Sequence, residues 1–192
     1  EKKQYLGLNM TGHSENPFML TSELDALTAP AEKLWTDEGK VTVVKNQGSC
    51  GSCWTFGAVG GLESRYAVAA GVLRNFAEQE YLDCVYENRD GCRGGWPSDG
   101  YKYSASQGGR LAPTSRYPYR ARDTSCKSSS TANAAVAAKI MGSVNVPRGE
   151  AANIKALTVG SLAVAFEVTN YFQQYTSGII KDTSCKGSPN HA

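Results

Sequence analysis

The sequence predicts an α+β domain of two halves, the first helical and the second β-rich, with a cleft between them. Behind Ser52, the residues Phe56, Val59, Leu62 and Tyr66 recur at three- and four-residue steps, the stripe of a buried helix. Late in the chain Leu162, Val164, Phe166 and Val168 alternate with smaller or polar residues, the period of a strand. The 192 residues are 41% hydrophobic and 20% charged. That is enough for one core or two small halves sharing a cleft, and unlike collagenous or highly charged disordered chains.

Residues 1–28 read as a separate N-terminal extension. Glu1-Lys2-Lys3-Gln4 and Thr11–Asn16 are polar and show no sustained helical or strand period. His13 reads as a solvated loop residue, and Asn9-Met10-Thr11 is a glycosylation sequon. No basic region followed by an apolar core opens the chain, so any secretory leader is expected to have been removed.

The central helix is expected over 53–70, with Ser52 as N-cap and Gly71 as the left-handed stop. Gly57, Gly60 and Gly61 each cost about 1 kcal/mol relative to Ala in a helix interior, so each is expected to face a close neighbour. Shorter helices are expected over 78–84 and 97–107, the second opened by Pro97 and closed by Gly108. Ser128–Ala138 is rich in Ser and Ala and reads as the linker between halves. Residues 151–159 make one more helical turn or two. Strands are expected over 162–168 and 177–181.

The net charge of +2 is too small for a nucleic-acid-binding surface. The longest apolar stretch, near 162–168, is far too short to span a bilayer. Chemistry therefore falls to two histidines and six cysteines: Cys50, Cys53, Cys84, Cys92, Cys126 and Cys185. A structural zinc site wants four Cys or His ligands in two close pairs. Only Cys50 and Cys53 are so spaced, and no metal site is expected. A redox Cys-x-x-Cys pair would leave four cysteines unexplained. The reading that accounts for all six is a secreted disulfide scaffold with one cysteine reserved for chemistry. If that one is Cys53, five remain, and five cannot all pair within the chain.

Lys45-Asn46-Gln47-Gly48-Ser49-Cys50-Gly51-Ser52-Cys53-Trp54 is a Gly-rich loop entering a helix. Cys53 falls in the first turn, where the helix dipole and unpaired N–H groups favour a thiolate, the nucleophilic form. Here the sequence resembles the papain-like cysteine peptidases of the cathepsin L type. Cys50-Gly-Ser-Cys53-Trp54 fits their signature, and His191 follows at the expected distance of about 130–150 residues. Ala29-Pro30 through Trp35, Gly39 through Gly48, Gln79 through Cys84, Gly91 through Pro97, Tyr117-Pro118-Tyr119 and Asn190-His191-Ala192 extend the resemblance over residues 29–192. Tyr5 through Thr11 is similar to the late part of a family propeptide, which sets a propeptide remnant beside an unrelated extension for 1–28.

The resemblance implies a fold and a set of roles. The fold is the papain-like pair of subdomains with the active site in the cleft. Cys53 is the nucleophile and His191 its base and acid. The Gln47 amide and the Cys53 backbone N–H form the oxyanion hole. Gly94 and Gly95 hydrogen-bond extended substrate, free of a side chain that would block its approach. Trp96, Pro97, Ala165 (or Val164, one position earlier), Pro189 and Ala192 wall the main specificity pocket. Cys50 pairs with Cys92 and Cys84 with Cys126. Cys185 corresponds to a cysteine whose partner lies beyond the histidine, on a second, disulfide-linked C-terminal chain left by cleavage or on a continuation of this one; the first is the expectation. The asparagine that orients the histidine, its shielding tryptophan and the final strands belong to that same segment.

Leu34 departs from the family by replacing an aspartate, and Ala77 by replacing a capping serine. No insertion between Cys92 and Cys126 closes the cleft end, so an endopeptidase is implied. It would act on polypeptides without a cofactor and reach a secreted or lysosomal/vacuolar destination. The competing readings are an inactive homologue with a structural or binding role, and a thiol–disulfide oxidoreductase through Cys50 and Cys53.

Overall fold

A computed structural model describes residues 21–86, 90–128, 136–137 and 140–192. The propeptide-like segment, His13 and the sequon lie outside these residues, as does most of the expected linker. Within 21–28, where no period was legible, a short helix α1 forms at Thr21–Asp25. Five residues are too few to show a repeat. Leu24 is buried, and Asp25 pairs with Lys155 at 3.0 Å.

The expected central helix, α2, runs Cys53–Ala70 and stops at Gly71, which is left-handed with φ 71° and donates its N–H to the Ala67 carbonyl. Trp54, Ala58 and Val59 are fully buried along it. It packs against α3 (Glu78–Cys84) and α4 (Pro97–Ser106), with a 3-10 turn at Gly91–Arg93 between those two. Phe76, Tyr81, Leu82, Leu111 and Ile140 complete the core. Pro97 occupies the start of α4, and Gly108, with φ 73°, lies just past its end.

Every residue of α3 is buried, including Glu78, Gln79, Glu80 and Asp83. Such groups survive burial only when paired. Lys45 reaches both Glu63 at 2.7 Å and Glu78 at 2.5 Å. Glu80 accepts from the Ala112 N–H and the Tyr103 hydroxyl. Asp83 accepts from Tyr117 and from the N–H and hydroxyl of Thr124. Gln79 donates to the Arg122 carbonyl and accepts from the Arg120 N–H. Residues 117–124 are thus strapped to α3. Burial pushes the Glu78 and Glu80 carboxyls above the ordinary range. Ala77 makes no side-chain cap; it is fully buried and donates its N–H to the Ala112 carbonyl.

A two-residue strand β1 (Arg110–Leu111) pairs antiparallel with β2 (Val136–Ala137). The stretch expected to be a linker therefore ends in a strand. Beyond it come α5 (Glu150–Leu157) and α6 (Asn170–Gln173). The strands expected over 162–168 and 177–181 do not form. Their alternation supplies a face, but a strand also needs a neighbour for its N–H and C=O groups. Among the described residues, only one bridge supplies this: Phe166 donates to the His191 carbonyl at 2.9 Å and accepts from its N–H at 3.2 Å. The second half is accordingly poorer in β-structure than expected. It is joined to the first by Trp35 donating to the Leu157 carbonyl and Arg65 to the Val159 carbonyl.

Candidate active site

Cys53 opens α2, is 1% exposed, and is in no disulfide. No acidic residue occupies the first turn, so the helix N-terminus favours a thiolate unopposed from that turn. The preceding loop is pinned from several sides. Cys50 is bonded to Cys92, and Gly51 donates to the Cys92 carbonyl at 2.9 Å. Cys84 is bonded to Cys126, which anchors the strap. Trp54 donates its indole N–H to the Gly91 carbonyl and packs on Tyr86.

Ser52 corrects the expectation. It precedes the helix but makes no capping bond; its hydroxyl pairs with the Tyr119 phenol at 2.5 Å. A partner delivered by the tertiary fold wins over the local N–H groups. The Gln47 amide lies in the same loop and donates to the Cys50 carbonyl at 2.9 Å. Its backbone carbonyl accepts from Tyr119.

His191 arrives from the other half. Its bridge to Phe166 fixes its backbone, the Phe166 ring lies edge-on to the imidazole, and the Asn190 side chain accepts from the Val168 N–H. Ala192 then lies against Gly57, one turn beyond Cys53: a Cβ at Gly57 would stand 3.2 Å from the Ala192 carbonyl carbon. The C-terminal pair is thus brought to the same end of α2 as the cysteine. The His191 Nδ1 is buried and has no hydrogen-bond partner. Burial holds its pKa below the ordinary value.

The other predicted residues divide. Trp96, Pro97, Val164 and Ala165 line one cavity of about 1140 Å³ with Leu62, Arg65 and Tyr101, so both candidates for the uncertain wall position face it. Pro189 and Ala192 do not line it; Ala192 lies against Gly57 instead. At Gly95 a Cβ would stand 2.6 Å from the Trp54 ring and 2.7 Å from that of Tyr86. Core packing thus demands this glycine, quite apart from any substrate. Gly94 has φ 103°, which favours glycine on backbone grounds. Gly57 and Gly61 meet close neighbours as expected; Gly60 meets none within 4 Å.

Cys185 is exposed and in no disulfide among the described residues. No three His, Cys, Asp or Glu among those residues gather as a metal site, and no helix there is long and apolar enough to cross a membrane. Tyr119 has no role in the sequence reading; its only signal there is the Tyr-Pro-Tyr triplet.

A buried, reduced cysteine at a helix N-terminus, facing a half that delivers one histidine, defines a class. The family profile described as "Papain family cysteine protease" matches residues 29–192, and the chain belongs to that family. It is 41% identical over 169 residues to a pro-cathepsin H of Medicago truncatula, covering 85% of this chain and 47% of that protein. It spans about half the length of such curated relatives. Among solved structures it resembles the bromelain protease of Ananas comosus in complex with the E64 inhibitor. There the TM-score is 0.73 and the identity 36%, over 82% of this chain and 70% of that one. It also resembles digestive procathepsin L 3 of Tenebrio molitor larval midgut, with TM-score 0.75 and 25% identity, over 98% of this chain and 60% of that one.

Proposed function

We propose that the chain carries the nucleophile, base and main substrate walls of a cysteine endopeptidase. The observation carrying this reading is the pairing at one end of α2 of a buried, reduced Cys53 with the segment bearing His191 and its unpartnered Nδ1. The Cys53 thiolate attacks the scissile carbonyl carbon. The oxyanion so formed is held by the Gln47 amide and the Cys53 N–H. His191 gives its proton to the leaving amine, and the C–N bond breaks to leave a thioester. Water, losing a proton to His191, attacks that thioester and releases the carboxylic product and the thiolate.

Substrate in this reading is an extended polypeptide laid along Gly94 and Gly95. The cavity walls from Trp96, Pro97, Val164 and Ala165 carry no charge. Of the cationic residues around the same cavity, Arg65 is committed to the Val159 carbonyl, Lys102 pairs with Asp99 at 3.6 Å, and Arg148 lies on the exposed rim. An apolar or aromatic side chain one position before the residue giving the scissile carbonyl is therefore preferred. A peptide-library profile led there by Lys, Arg, Asp or Glu would count against it.

Residues 1–28 are read as a propeptide remnant, supported by the 98% coverage of this chain by a procathepsin structure where the family profile begins only at residue 29. Two disulfides support an oxidising route to a secreted or lysosomal/vacuolar site. Cys185, exposed, is assigned to a bond with a second, C-terminal chain. Non-reducing mass spectrometry tests that: a species equal to the 192 residues alone refutes it.

For the reaction, an epoxide or iodoacetamide at mildly acidic pH is expected to label Cys53 ahead of every other thiol. Cys53→Ala is expected to abolish peptide turnover while the chain stays folded. Labelling confined to another cysteine, with no turnover, would replace this reading with that of an inactive homologue.

A further inference from the structure

We propose that Tyr119 is a positioning residue for the oxyanion hole, its single phenol tying together the two ends of the loop that supplies both donors. The inference rests on the peptidase reading above.

The phenol oxygen lies 2.7 Å from the Gln47 carbonyl and 2.5 Å from the Ser52 hydroxyl. It owns one hydrogen, which goes to the carbonyl, since a carbonyl can only accept. The Ser52 hydroxyl must then donate to the phenol oxygen. One donor in the proposed oxyanion hole is the Gln47 side chain, carried by the residue whose carbonyl is held. The other is the Cys53 N–H, in the peptide unit that directly follows the held Ser52. The disulfide fixes this loop at Cys50, and each end has a local bond of its own, from the Gly48 N–H to the Asn46 side chain and from the Thr55 N–H and hydroxyl to the Ser52 carbonyl. Tyr119 adds the bonds that tie the two ends to each other.

The clamp is itself anchored. The Phe56 ring, from the first turn of α2, meets the Tyr119 ring edge-on with centroids 4.9 Å apart. The next residue, Arg120, donates its N–H to Gln79 of the buried helix α3 at 2.8 Å. Ser52 is fully buried and has given up the capping bond its position offers. Its hydroxyl would stand unsatisfied without the phenol. Donor placement matters because an oxyanion hole works by preorganisation, and a misplacement of about 1 Å can cost about a hundredfold in rate.

The test compares the full chain with Tyr119→Phe and Ser52→Ala, each checked for folding by thermal midpoint and tryptophan emission. Tyr119→Phe keeps the ring and removes both bonds. Its kcat is expected to fall between about tenfold and a hundredfold with KM unchanged. Affinity for a peptide aldehyde, whose adduct with Cys53 carries an oxyanion, is expected to fall by the same factor. Alkylation of Cys53 by iodoacetamide, which forms no oxyanion, is expected to keep its rate. Ser52→Ala, which leaves the Gln47 bond in place, is expected to show the same pattern to a smaller extent, and it decides the matter alone if the Tyr119 variant does not fold.

Wild-type kcat and aldehyde affinity in a folded Tyr119→Phe overturn the proposal, as they do in Ser52→Ala where that variant alone folds. So does an alkylation rate that falls in step with turnover, since that marks general disorder of the site. If the unmodified chain neither turns over peptide nor binds the aldehyde, the peptidase reading fails and takes this one with it. Normal turnover by the unmodified chain with an indifferent Tyr119→Phe defeats this one alone.

Discussion

Two glycines that look alike in the sequence make opposite demands. A methyl group at Gly95 would press on the Trp54 and Tyr86 rings, whereas one at Gly60, on the exposed side of α2, would meet nothing within 4 Å. Gly95→Ala is expected to destabilise the chain by about 1–3 kcal/mol through overpacking. Gly60→Ala is expected to stabilise it by about 0.5–1 kcal/mol, the ordinary helix-propensity difference. Urea unfolding of the two variants beside the unmodified chain checks both signs. Ser52 teaches a related lesson. Its capping role was inferred from position, but the partner it takes is 67 residues away, and no local rule reaches that far. The proposed nucleophile Cys53 and proposed base His191, by contrast, can be picked out from the sequence because their signature is local in one case and a simple distance in the other.

At the scale of elements, the longer helices could be read, while the short helices α1 and α6 and the absence of the late strands could not. A helix satisfies its own backbone, so the stripe of Phe56, Val59, Leu62 and Tyr66 with Gly71 behind it is nearly sufficient evidence. A strand is completed by another segment, and the alternation over 162–168 carries no information about whether one is there. Helix α3 is expected over 78–84 and forms there, but its burial is not legible: its acids look like surface residues until the strap from 117 to 124 is folded over them. Its burial has a measurable signature. Glu80 titrates above its ordinary value of 4.5 because burial disfavours its charge. The folded chain therefore holds that proton more tightly than the unfolded one. The resulting stability is fully present below about pH 4.5 and is lost as pH rises through the raised value. Glu80→Gln keeps an acceptor for the Ala112 N–H and removes the titration. Its thermal midpoint is expected to decline less with rising pH than that of the unmodified chain. Equal slopes in the two chains would show that Glu80 does not set the pH response.

Across the whole molecule, the two halves are secured by different means. Both disulfides close intervals of 42 residues, Cys50 to Cys92 and Cys84 to Cys126, and both lie in the helical half. In a chain-entropy account each raises stability by about 4 kcal/mol by restricting the unfolded ensemble. Among the described residues, the half that delivers His191 has no such cross-link and is held by hydrogen bonds and one ion pair: the Phe166 bridge within it, and bonds from Trp35 and Arg65 and the Asp25–Lys155 pair to the first half.

The consequence is kinetic. A chain diluted out of denaturant with its bridges intact starts with the helical half already looped, so its contacts are short in effective separation and form early. The encounter that brings the segment bearing His191 to the end of α2 that carries Cys53 spans most of the sequence and has no such head start. Burial of Trp54, read by fluorescence, is expected to precede the return of the proposed turnover, leaving an interval in which Cys53 is housed before His191 is in place. Recovery of both signals with one time constant would show instead that the halves fold as a single cooperative unit. Under the peptidase reading proposed above, such an interval would keep Cys53 and His191 apart throughout folding, so that the chain is protected from its own chemistry while its loops are still open to attack.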